Sequence, residues 1–404
     1  MRTSKWREPI FALLFLILAA LLIGILSLAF RPVRVDYGAV WGPYLAEPRD
    51  SLDYLYLGSS YAYCDVDPVE IYDETGLTGC VLAGPEQTLS QTYWYLKEAL
   101  KTQKPSLVIL EGSALAFQQY QNYTQVNVGY MPAGLNQLGA IFTASEPELR
   151  TGLLFPLYFY HNRWKELTVD EAADALLPSE TDTLKGFTPV SGVFEQIADG
   201  PFTREPQPEE VYEENLTWLS KIADLCEKRG ITLALVFHPT YSQLPADTRI
   251  RIAEDASELD ISFFDWTEES QSIGITPTLH YYDPGHLNQE GAAIFSAWLG
   301  DFLTGELGVS PRPQDSENTA AWQSAVKQEK NKKSRGKPRR RFPRALLLLK
   351  TDPPWRCPPP GNAPASCGRP RYRCGPEGPG RSPGDCPAAS CGRPRPSSSS
   401  PAYG

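Results

Sequence analysis

Two short segments, more than two hundred residues apart, carry residue types that together can cleave or transfer an acyl group. The first, residues 57–61 (LGSSY), ends an apolar run, and the second, residues 283–288 (DPGHLN), precedes a helix-like stretch. They supply a serine on a strand-to-helix turn and an Asp-x-x-His pair. These are the three groups that a serine acyl-transfer site needs.

Ser60 is the candidate nucleophile, and because a free serine hydroxyl reacts poorly near neutral pH, a base must take its proton. The chain has four histidines, His161, His238, His280 and His286. His286 is the one with a carboxylate three residues before it, and Pro-Gly between the two makes a tight turn. We predict that Asp283 accepts the Nδ1 proton and that Nε2 faces Ser60. The adjacent Ser59 remains an alternative nucleophile.

The elements that must position these groups alternate between strand and helix patterns. Short apolar runs separated by helical patterns indicate a parallel sheet covered on both faces. We therefore predict an α/β fold, a three-layer αβα sandwich. A long insertion, about residues 111–206, lies between the third and fourth strands, and we expect it to help shape a substrate cleft. The predicted strands are 53–57, 79–83, 105–110, 231–237 and 261–264, and the clearest helices are 87–101, 209–229 and 289–302.

Residues 10–30 form a run without a charged residue that is about as long as a helix needs to cross a bilayer. We predict an uncleaved anchor; a cleavable signal peptide is the alternative, although the run exceeds the usual ~7–15 apolar residues of such a signal. The flanking charges slightly favour a cytoplasmic N-terminus. The body is then expected on the outer side of the cell membrane, held by a single span.

Charge and cysteine usage divide the chain near residue 327. From Lys327 onward there are 18 Lys and Arg against 4 Asp and Glu, which leaves a formal charge of −24 on the residues before it. An acidic body argues against binding nucleic acid through a broad basic face. Three of the eight cysteines lie in the body, and we expect them to be buried thiols. We predict neither a metal ion nor a cofactor.

These observations predict five segments: residues 1–9 as a cytoplasmic N-terminus, 10–30 as the anchor, 31–50 as a linker, 51–308 as the extracytoplasmic domain, and 309–404 as a disordered tail. The tail's Pro, Gly, Arg and Cys content cannot bury enough apolar area to offset chain entropy.

The residues Gly58-Ser59-Ser60 after the first strand, with Asp283-x-x-His286 near the end, resemble the SGNH/GDSL hydrolase superfamily. The similarity is to its membrane-anchored branch, which includes the teichoic-acid D-alanylation protein and polysaccharide O-acetyltransferases, and it covers about residues 50–305. The resemblance implies a flavodoxin-like sandwich with a nucleophile at Ser60. It also implies that Asp283 and His286 match the Asp and His of the family's catalytic triad.

The chain departs from the family pattern around the oxyanion hole. Ser59 replaces the usual Asp, Gly84 matches the second-block glycine, and the third strand runs into residues 110–113 (LEGS) instead of Gly-x-Asn-Asp. Because one lost oxyanion donor typically costs ~10²–10³ in rate, another group should replace it. We expect the backbone N–H groups of Ser60 and Gly84 to hold the oxyanion.

Other polar residues are candidates for the cleft. His161 and Arg163 in the insertion could form a cleft wall that holds substrate or the Glu111 carboxylate, although a helix-end role is equally compatible with the pattern. We expect His238 to be structural and His280 to lie in a loop near the triad.

The resemblance implies a serine esterase or O-acyltransferase that acts on acyl esters of a cell-envelope polysaccharide or another acylated glycan. An acyltransferase would need acyl groups exported by a polytopic membrane partner. The alternative is a non-catalytic envelope binding or assembly protein on a degenerate scaffold of the same fold.

Overall fold

The computed structural model of the chain describes residues 7–33, 40–176, 184–194 and 200–334. A parallel sheet of five strands lies at its centre, in the order β2-β1-β3-β5-β7, and a two-stranded parallel ribbon joins β4 to β6. The strands are β1 (Tyr54–Gly58), β2 (Gly79–Ala83), β3 (Leu107–Glu111), β4 (Phe202–Thr203), β5 (Thr232–Phe237), β6 (Ser242–Gln243) and β7 (Ser262–Asp265).

Helices account for most of the remaining described residues. Residues 112–116 and 161–165 form short 3-10 helices. The α-helices are α1 (Arg7–Phe30), α2 (Trp41–Ala46), α3 (Ser60–Asp65), α4 (Pro68–Thr75), α5 (Leu89–Ala99), α6 (Thr124–Gly129), α7 (Leu135–Thr143), α8 (Arg150–Leu154), α9 (Pro156–Tyr160), α10 (Val169–Leu176), α11 (Glu209–Glu227), α12 (Ala246–Glu258), α13 (Ser270–Ile273), α14 (Pro277–His280), α15 (Gln289–Gly305) and α16 (Ser316–Ser334).

The sheet separates two hydrophobic cores, because successive strand residues point to opposite faces. In β1, Leu55 and Leu57 join the core under α5 and α11, whereas Tyr54 and Tyr56 join the core under α3, α4 and α15. Since both faces are covered, the strands read as continuous apolar runs without alternation. The predicted three-layer αβα sandwich is confirmed.

The predicted linker differs from the structure at its C-terminal end. Helix α2 lies there, Trp41 and Tyr44 are buried, and the Tyr44 hydroxyl donates to the Ala99 carbonyl at 2.7 Å. Two aromatic side chains that pack against α5 are enough to hold this short helix on the domain.

The predicted tail also differs, because its first part is ordered structure. Trp322 of α16 is fully buried and packs against Tyr72 of α4, with ring centroids 4.9 Å apart. Before this helix, Arg312 pairs with buried Asp53 at 3.0 Å. One large aromatic and one ion pair anchor a segment whose composition is otherwise polar. Residues 335–404 of the predicted tail lie outside the described residues.

The N-terminal helix α1 is long and apolar enough to cross a membrane, with a mean hydropathy of 3.0 over an 18-residue stretch within Glu8–Phe30. Its side chains are mostly exposed, and α9 and α10 of the insertion pack against it.

Candidate active site

Ser60 lies at the carboxyl edge of the sheet, where β1 turns into α3. Gly58 closes the strand, and a Cβ atom there would lie only 2.8 Å from Cβ of Glu111 on the neighbouring strand. Only glycine therefore allows β1 and β3 to approach this closely at the turn. Ser59 precedes α3 as its N-cap, and Ser60 is the first helical residue and is partly exposed. Among the described residues, no group accepts the backbone N–H of Ser60.

Asp283 and His286 lie on a tight loop that leads into α15. An antiparallel bridge between Tyr281 and Leu287 closes the loop, and the Asp283 carboxylate accepts the backbone N–H groups of Gly285 at 2.7 Å and His286 at 2.8 Å. The loop is thus folded around the carboxylate. Bonds between near neighbours in sequence therefore fix the conformation of the loop.

The residues after the loop hold it on the domain. Asn288 caps α15 by accepting from the backbone N–H groups of Glu290 and Gly291, and its amide donates to the carbonyls of Gly192 and Leu279. These contacts leave the His286 ring directed at the sheet edge.

The structure brings the two segments together. Nε2 of His286 lies 2.8 Å from Oγ of Ser60, and Nδ1 lies 2.9 Å from both carboxylate oxygens of Asp283. The Tyr61 ring stacks on the imidazole, with centroids 5.0 Å apart and an interplanar angle of 25°. A Cβ at Gly285 would lie 3.1 Å from the Tyr61 hydroxyl, so the glycine gives that ring its room. This geometry allows a proton to pass from Ser60 to His286.

The charge of Asp283 stabilises the protonated form of the His286 imidazole. Burial alone would lower the pKa of His286, but the hydrogen bond and charge of Asp283 outweigh it and raise that pKa. Burial opposes ionisation of Asp283, but the hydrogen bonds and charge of His286 and the N–H of Gly285 lower its pKa overall. Asp283 therefore carries the negative charge opposite the imidazole.

A second Asp–His pair lies beneath the first in the core. Oδ2 of Asp65 is 3.1 Å from Nδ1 of His238, and Nε2 of His238 is 2.6 Å from the Tyr56 hydroxyl. Oδ1 of Asp65 accepts the backbone N–H of Leu287, the residue after His286, at 2.9 Å. Burial lowers the pKa of His238 to about 4 and raises that of Asp65. The buried pair therefore contacts the loop that carries Asp283 and His286, while its own histidine stays neutral.

The remaining predicted residues near the sheet edge occupy different environments. Ser59 is fully buried, and its hydroxyl has no partner among the described residues. Glu111 is also fully buried: one oxygen accepts the backbone N–H of Ser113 at 3.0 Å, and the other has no partner in the described part of the chain. Burial raises the pKa of Glu111, although His238, Ser113 and Arg204 oppose the shift. Glu111 thus lies under the site and forms no cleft wall.

Gly84 directly follows β2, whose last residue pairs with Gly58. A Cβ atom at Gly84 would lie 2.2 Å from Oδ1 of Asn127, whose amide nitrogen donates to Gln91 at 2.9 Å and to the Pro85 carbonyl at 3.0 Å. The insertion therefore brings a side-chain amide to the predicted oxyanion glycine. The residues that follow the third strand do not indicate this amide, because Asn127 belongs to helix α6.

His161 and Arg163 lie at the end of α1. Nη1 of Arg163 donates to the Phe30 carbonyl at 2.6 Å, and Nδ1 of the exposed His161 is 3.0 Å from the Tyr158 carbonyl. The helix-end interpretation describes these residues, because the Arg163 guanidinium binds the end of α1. His280 ends α14, where its Nδ1 accepts the Thr276 N–H at 2.9 Å.

Two residues beside the triad were not singled out from the sequence. The Arg204 guanidinium lies 5.7 Å from the centre of the Tyr61 ring. It lines, with Tyr61, Ser113 and His238, a cavity of about 10 Å³, which is roughly enough for one water molecule. Asp65, one helical turn beyond Ser60, is the other. The sequence gives only a weak indication that Asp65 is buried beside the site, since a lone Asp in a short helix is usually exposed.

Comparisons with known proteins add little to this geometry. No protein-family model and no curated protein matches the chain. One solved structure that resembles it is the 2.00 Å crystal structure of a candidate acylhydrolase from Bacteroides fragilis, with 12% identity and a TM-score of 0.32. The match covers 65% of this chain and 92% of that chain. At this level of similarity, it carries no argument about function. The α/β class and the Ser–His–Asp arrangement rest on the chain's own residues.

Proposed function

We propose that the protein is a membrane-anchored, extracytoplasmic serine esterase or O-acyltransferase of the SGNH type, acting on acyl esters of cell-envelope glycans. The hydrogen bond between Ser60 and His286, backed by Asp283, is the observation that carries the proposal. The three groups come from the two ends of the domain, with Ser60 and His286 separated by 226 residues. The carboxylate holds the imidazole, and the imidazole holds a hydroxyl that is partly exposed. A purely structural role for these residues does not require that arrangement.

The first half of the reaction forms an acyl-enzyme. Oγ of Ser60 attacks the acyl carbonyl carbon while its proton moves to Nε2 of His286, and the tetrahedral oxyanion is held by the backbone N–H groups of Ser60 and Gly84. The ester C–O bond then breaks, and the leaving alcohol takes the proton from His286. Asp283 keeps the imidazole oriented and stabilises its charge throughout.

The second half determines the reaction class. If water attacks the acyl-enzyme, the protein is an esterase; if a glycan hydroxyl attacks, it is an O-acyltransferase. In the second case a polytopic membrane protein would supply acyl groups on the outer side of the membrane. In both cases His286 removes the proton of the attacking hydroxyl and returns it to Ser60.

Covalent labelling tests the nucleophile. The full-length chain in detergent should react with a fluorophosphonate probe, Ser60→Ala should abolish labelling, and Ser59→Ala should be labelled as the wild type is. Ser59→Ala is the matched control, because it removes a neighbouring hydroxyl that is buried and has no partner among the described residues. Labelling that disappears with Ser59→Ala and persists with Ser60→Ala would transfer the role to Ser59.

A folded wild-type protein that resists the probe would contradict the enzyme assignment and favour the binding or assembly alternative. If labelling occurs, p-nitrophenyl acetate turnover with and without an acceptor glycan separates the two reactions. An esterase releases acetate in both cases, whereas an acyltransferase gives an acetylated glycan detectable by mass spectrometry.

A further inference from the structure

The helical insertion holds the C-terminal end of α1 through specific bonds. Nη1 of Arg163 donates to the Phe30 carbonyl at 2.6 Å, Nη1 of Arg31 donates to the Gly129 carbonyl at 3.1 Å, and the Tyr130 hydroxyl donates to the Pro32 carbonyl at 2.7 Å. The Phe30 and Gly129 carbonyls belong to the last residues of α1 and α6, so these two bonds satisfy acceptors that a helix end leaves unpaired. The apolar helix is therefore fastened to the folded domain.

The same insertion exposes large apolar and aromatic side chains. Leu135 is 84% exposed and Trp164 is 65% exposed, which is unusual for side chains of this size in water. We call the set the insertion face. It comprises Leu135, Leu138, Phe142, Phe155, Tyr158 and Trp164.

Helix α7 shows that this exposure follows a pattern. Leu135, Leu138 and Phe142 are spaced at i, i+3 and i+7 and so lie on one side of the helix. Ala140 and Ile141 are buried against the domain. The helix is apolar on two sides, one of which packs on protein while the other remains exposed.

The remaining members of the insertion face belong to elements that contact α1. Trp164 follows Arg163, which bonds the last residue of α1, and Phe155 and Tyr158 belong to or border α9, which packs against α1. Trp and Tyr are the residues that concentrate at membrane–water boundaries, because one part of each ring is apolar and another is polar. Exposed aromatics thus occur beside the end of the apolar helix.

The length of α1 is compatible with a boundary at this position. Its 24 residues span about 36 Å at 1.5 Å per residue, whereas the hydrocarbon core is ~30 Å thick. About four residues therefore extend beyond the core, where Arg31 and Arg163 can reach the headgroups. A boundary at this position requires α10, which packs on α1 and carries Asp170, Glu171 and Asp174, to lie on its water side.

We propose that the insertion face is a membrane-binding surface that enters the headgroup–acyl boundary of the bilayer crossed by α1. The occupant is the lipid itself, because Phe155, Tyr158 and Trp164 lie in or beside elements that pack against α1, whose own apolar side chains are exposed along its length. The inference rests on the anchor in the proposed function and goes beyond it. The domain is then held against the membrane at two places, so that the triad works on substrates near the bilayer surface.

Lipid photolabelling of the full-length chain tests this inference. The protein is reconstituted into phosphatidylcholine–phosphatidylglycerol vesicles containing a lipid with a diazirine on its acyl chain, irradiated, digested and examined by mass spectrometry. We expect adducts in α1 and also in peptides covering residues 135–142 and 155–164. Ile250 and Leu279, exposed apolar side chains on α12 and α14, are the internal control and should carry none.

Adducts confined to α1 would overturn the membrane-binding surface and leave the anchor intact. An absence of adducts in α1 would overturn the anchor and, with it, this inference. A diazirine amino acid placed at position 135 in native membranes, which can form adducts with lipid or with protein, adds a third outcome. Adducts between the insertion face and another protein, without lipid adducts, would replace the bilayer with a protein partner and also overturn the inference.

A triple variant gives a second measurement. Phe155→Ser, Tyr158→Ser and Trp164→Ser together should abolish the adducts at 155–164 while α1 adducts and fluorophosphonate labelling of Ser60 persist. Because all three side chains are exposed, the change should not prevent folding. The matched control, Ile250→Ser with Leu279→Ser, should leave every adduct unchanged.

Discussion

Two Asp–His pairs lie close together in this molecule and have opposite properties. Asp283 and His286 are three residues apart, with side chains 38% and 22% exposed, and the imidazole ends on the hydroxyl of Ser60. Asp65 and His238 are 173 residues apart and 0% and 1% exposed, and that imidazole ends on a buried tyrosine. The same pair of residue types thus serves two different environments.

The difference shows that access and charge balance, more than residue identity, separate a reactive pair from a structural one. The Asp283 carboxylate accepts backbone and imidazole N–H groups and stays charged, which raises the pKa of His286. At His238, burial outweighs the opposing charge of Glu111 and lowers the pKa to about 4. The buried pair still touches the reactive one, because Asp65 accepts the N–H of Leu287.

Removal of His286, the proposed base, should produce the largest effect. We expect His286→Ala to lower p-nitrophenyl acetate turnover by about 10⁴- to 10⁶-fold, or about 5.5 to 8 kcal/mol, because no other described group is within hydrogen-bonding distance to take the Ser60 proton. His161→Ala, at an exposed histidine, is the matched control and should retain wild-type turnover. Turnover within tenfold of wild type in His286→Ala would remove His286 from the mechanism.

Replacing Asp283 or Asp65 by asparagine should give very different losses of activity and so distinguish the two pairs. Asp283→Asn can keep the backbone bonds of the loop but loses the charge that stabilises the imidazolium, and we expect a loss of about 10⁴-fold in kcat. Asp65→Asn can still accept the Leu287 N–H, and we expect a loss of no more than about tenfold. Steady-state kinetics of both variants provide the measurement. Equal losses would show that the pairs form one catalytic unit.

When the two aspartates are replaced by alanine and stability is measured, we expect the larger effect at Asp65, the reverse of the order expected for activity. Asp65→Ala leaves the Leu287 N–H and His238 without their buried partner, and we expect a loss of about 3–5 kcal/mol in unfolding free energy. Asp283→Ala, at a half-exposed loop, should lose about 1 kcal/mol. Urea unfolding of the detergent-solubilised chain compares them. A larger loss for Asp283→Ala would contradict the structural assignment of the buried pair.

The two histidines should also give opposite pH dependences. Because a neutral base is needed and the pKa of His286 is raised above 6.5, kcat/KM should fall on the acid side with a midpoint above 6.5. The stabilisation from His286 is present below pH 6.5 and is lost as pH rises through its folded-state pKa. His238 remains neutral in the fold while the unfolded chain binds a proton, so stability should fall as pH decreases from 6.5 to about 4.

Activity and unfolding measured across pH 4–9 check this contrast. His238→Gln should flatten the acid loss of stability without moving the midpoint of kcat/KM. A shift of that midpoint in His238→Gln would mean that the buried histidine sets the reactivity of the base.

The local sequence was sufficient to predict a structural feature wherever the contacts that form it join near neighbours along the chain. The Asp283 carboxylate binds the N–H groups of Gly285 and His286, so three-residue spacing and a Pro-Gly turn already predict the loop. The five strands were predictable because burial on both faces requires uninterrupted apolar runs. Gly58 was recognisable as a turn, although its close approach to Glu111 was not.

Contacts between distant residues were beyond sequence reasoning. The bonds that join Tyr56, Asp65 and His238 span 173 and 182 residues, and no pattern around any of them indicates the others. The sequence left Arg163 open between a cleft wall and a helix end, and only the fold shows that its guanidinium binds the end of α1, 133 residues away. Trp322 is a single aromatic in a polar stretch, and only its packing on α4 reveals an ordered helix there.

Residue types and local spacing established the α/β class, the apolar N-terminal helix and the two segments that carry Ser60, Asp283 and His286. Folding established which of two adjacent serines faces the base, because the turn after Gly58 buries Ser59 and leaves Ser60 2.8 Å from His286. It also established which carboxylate–histidine pair is accessible. Chemistry that depends on neighbours along the chain can be read from the sequence, whereas accessibility depends on what the rest of the chain covers.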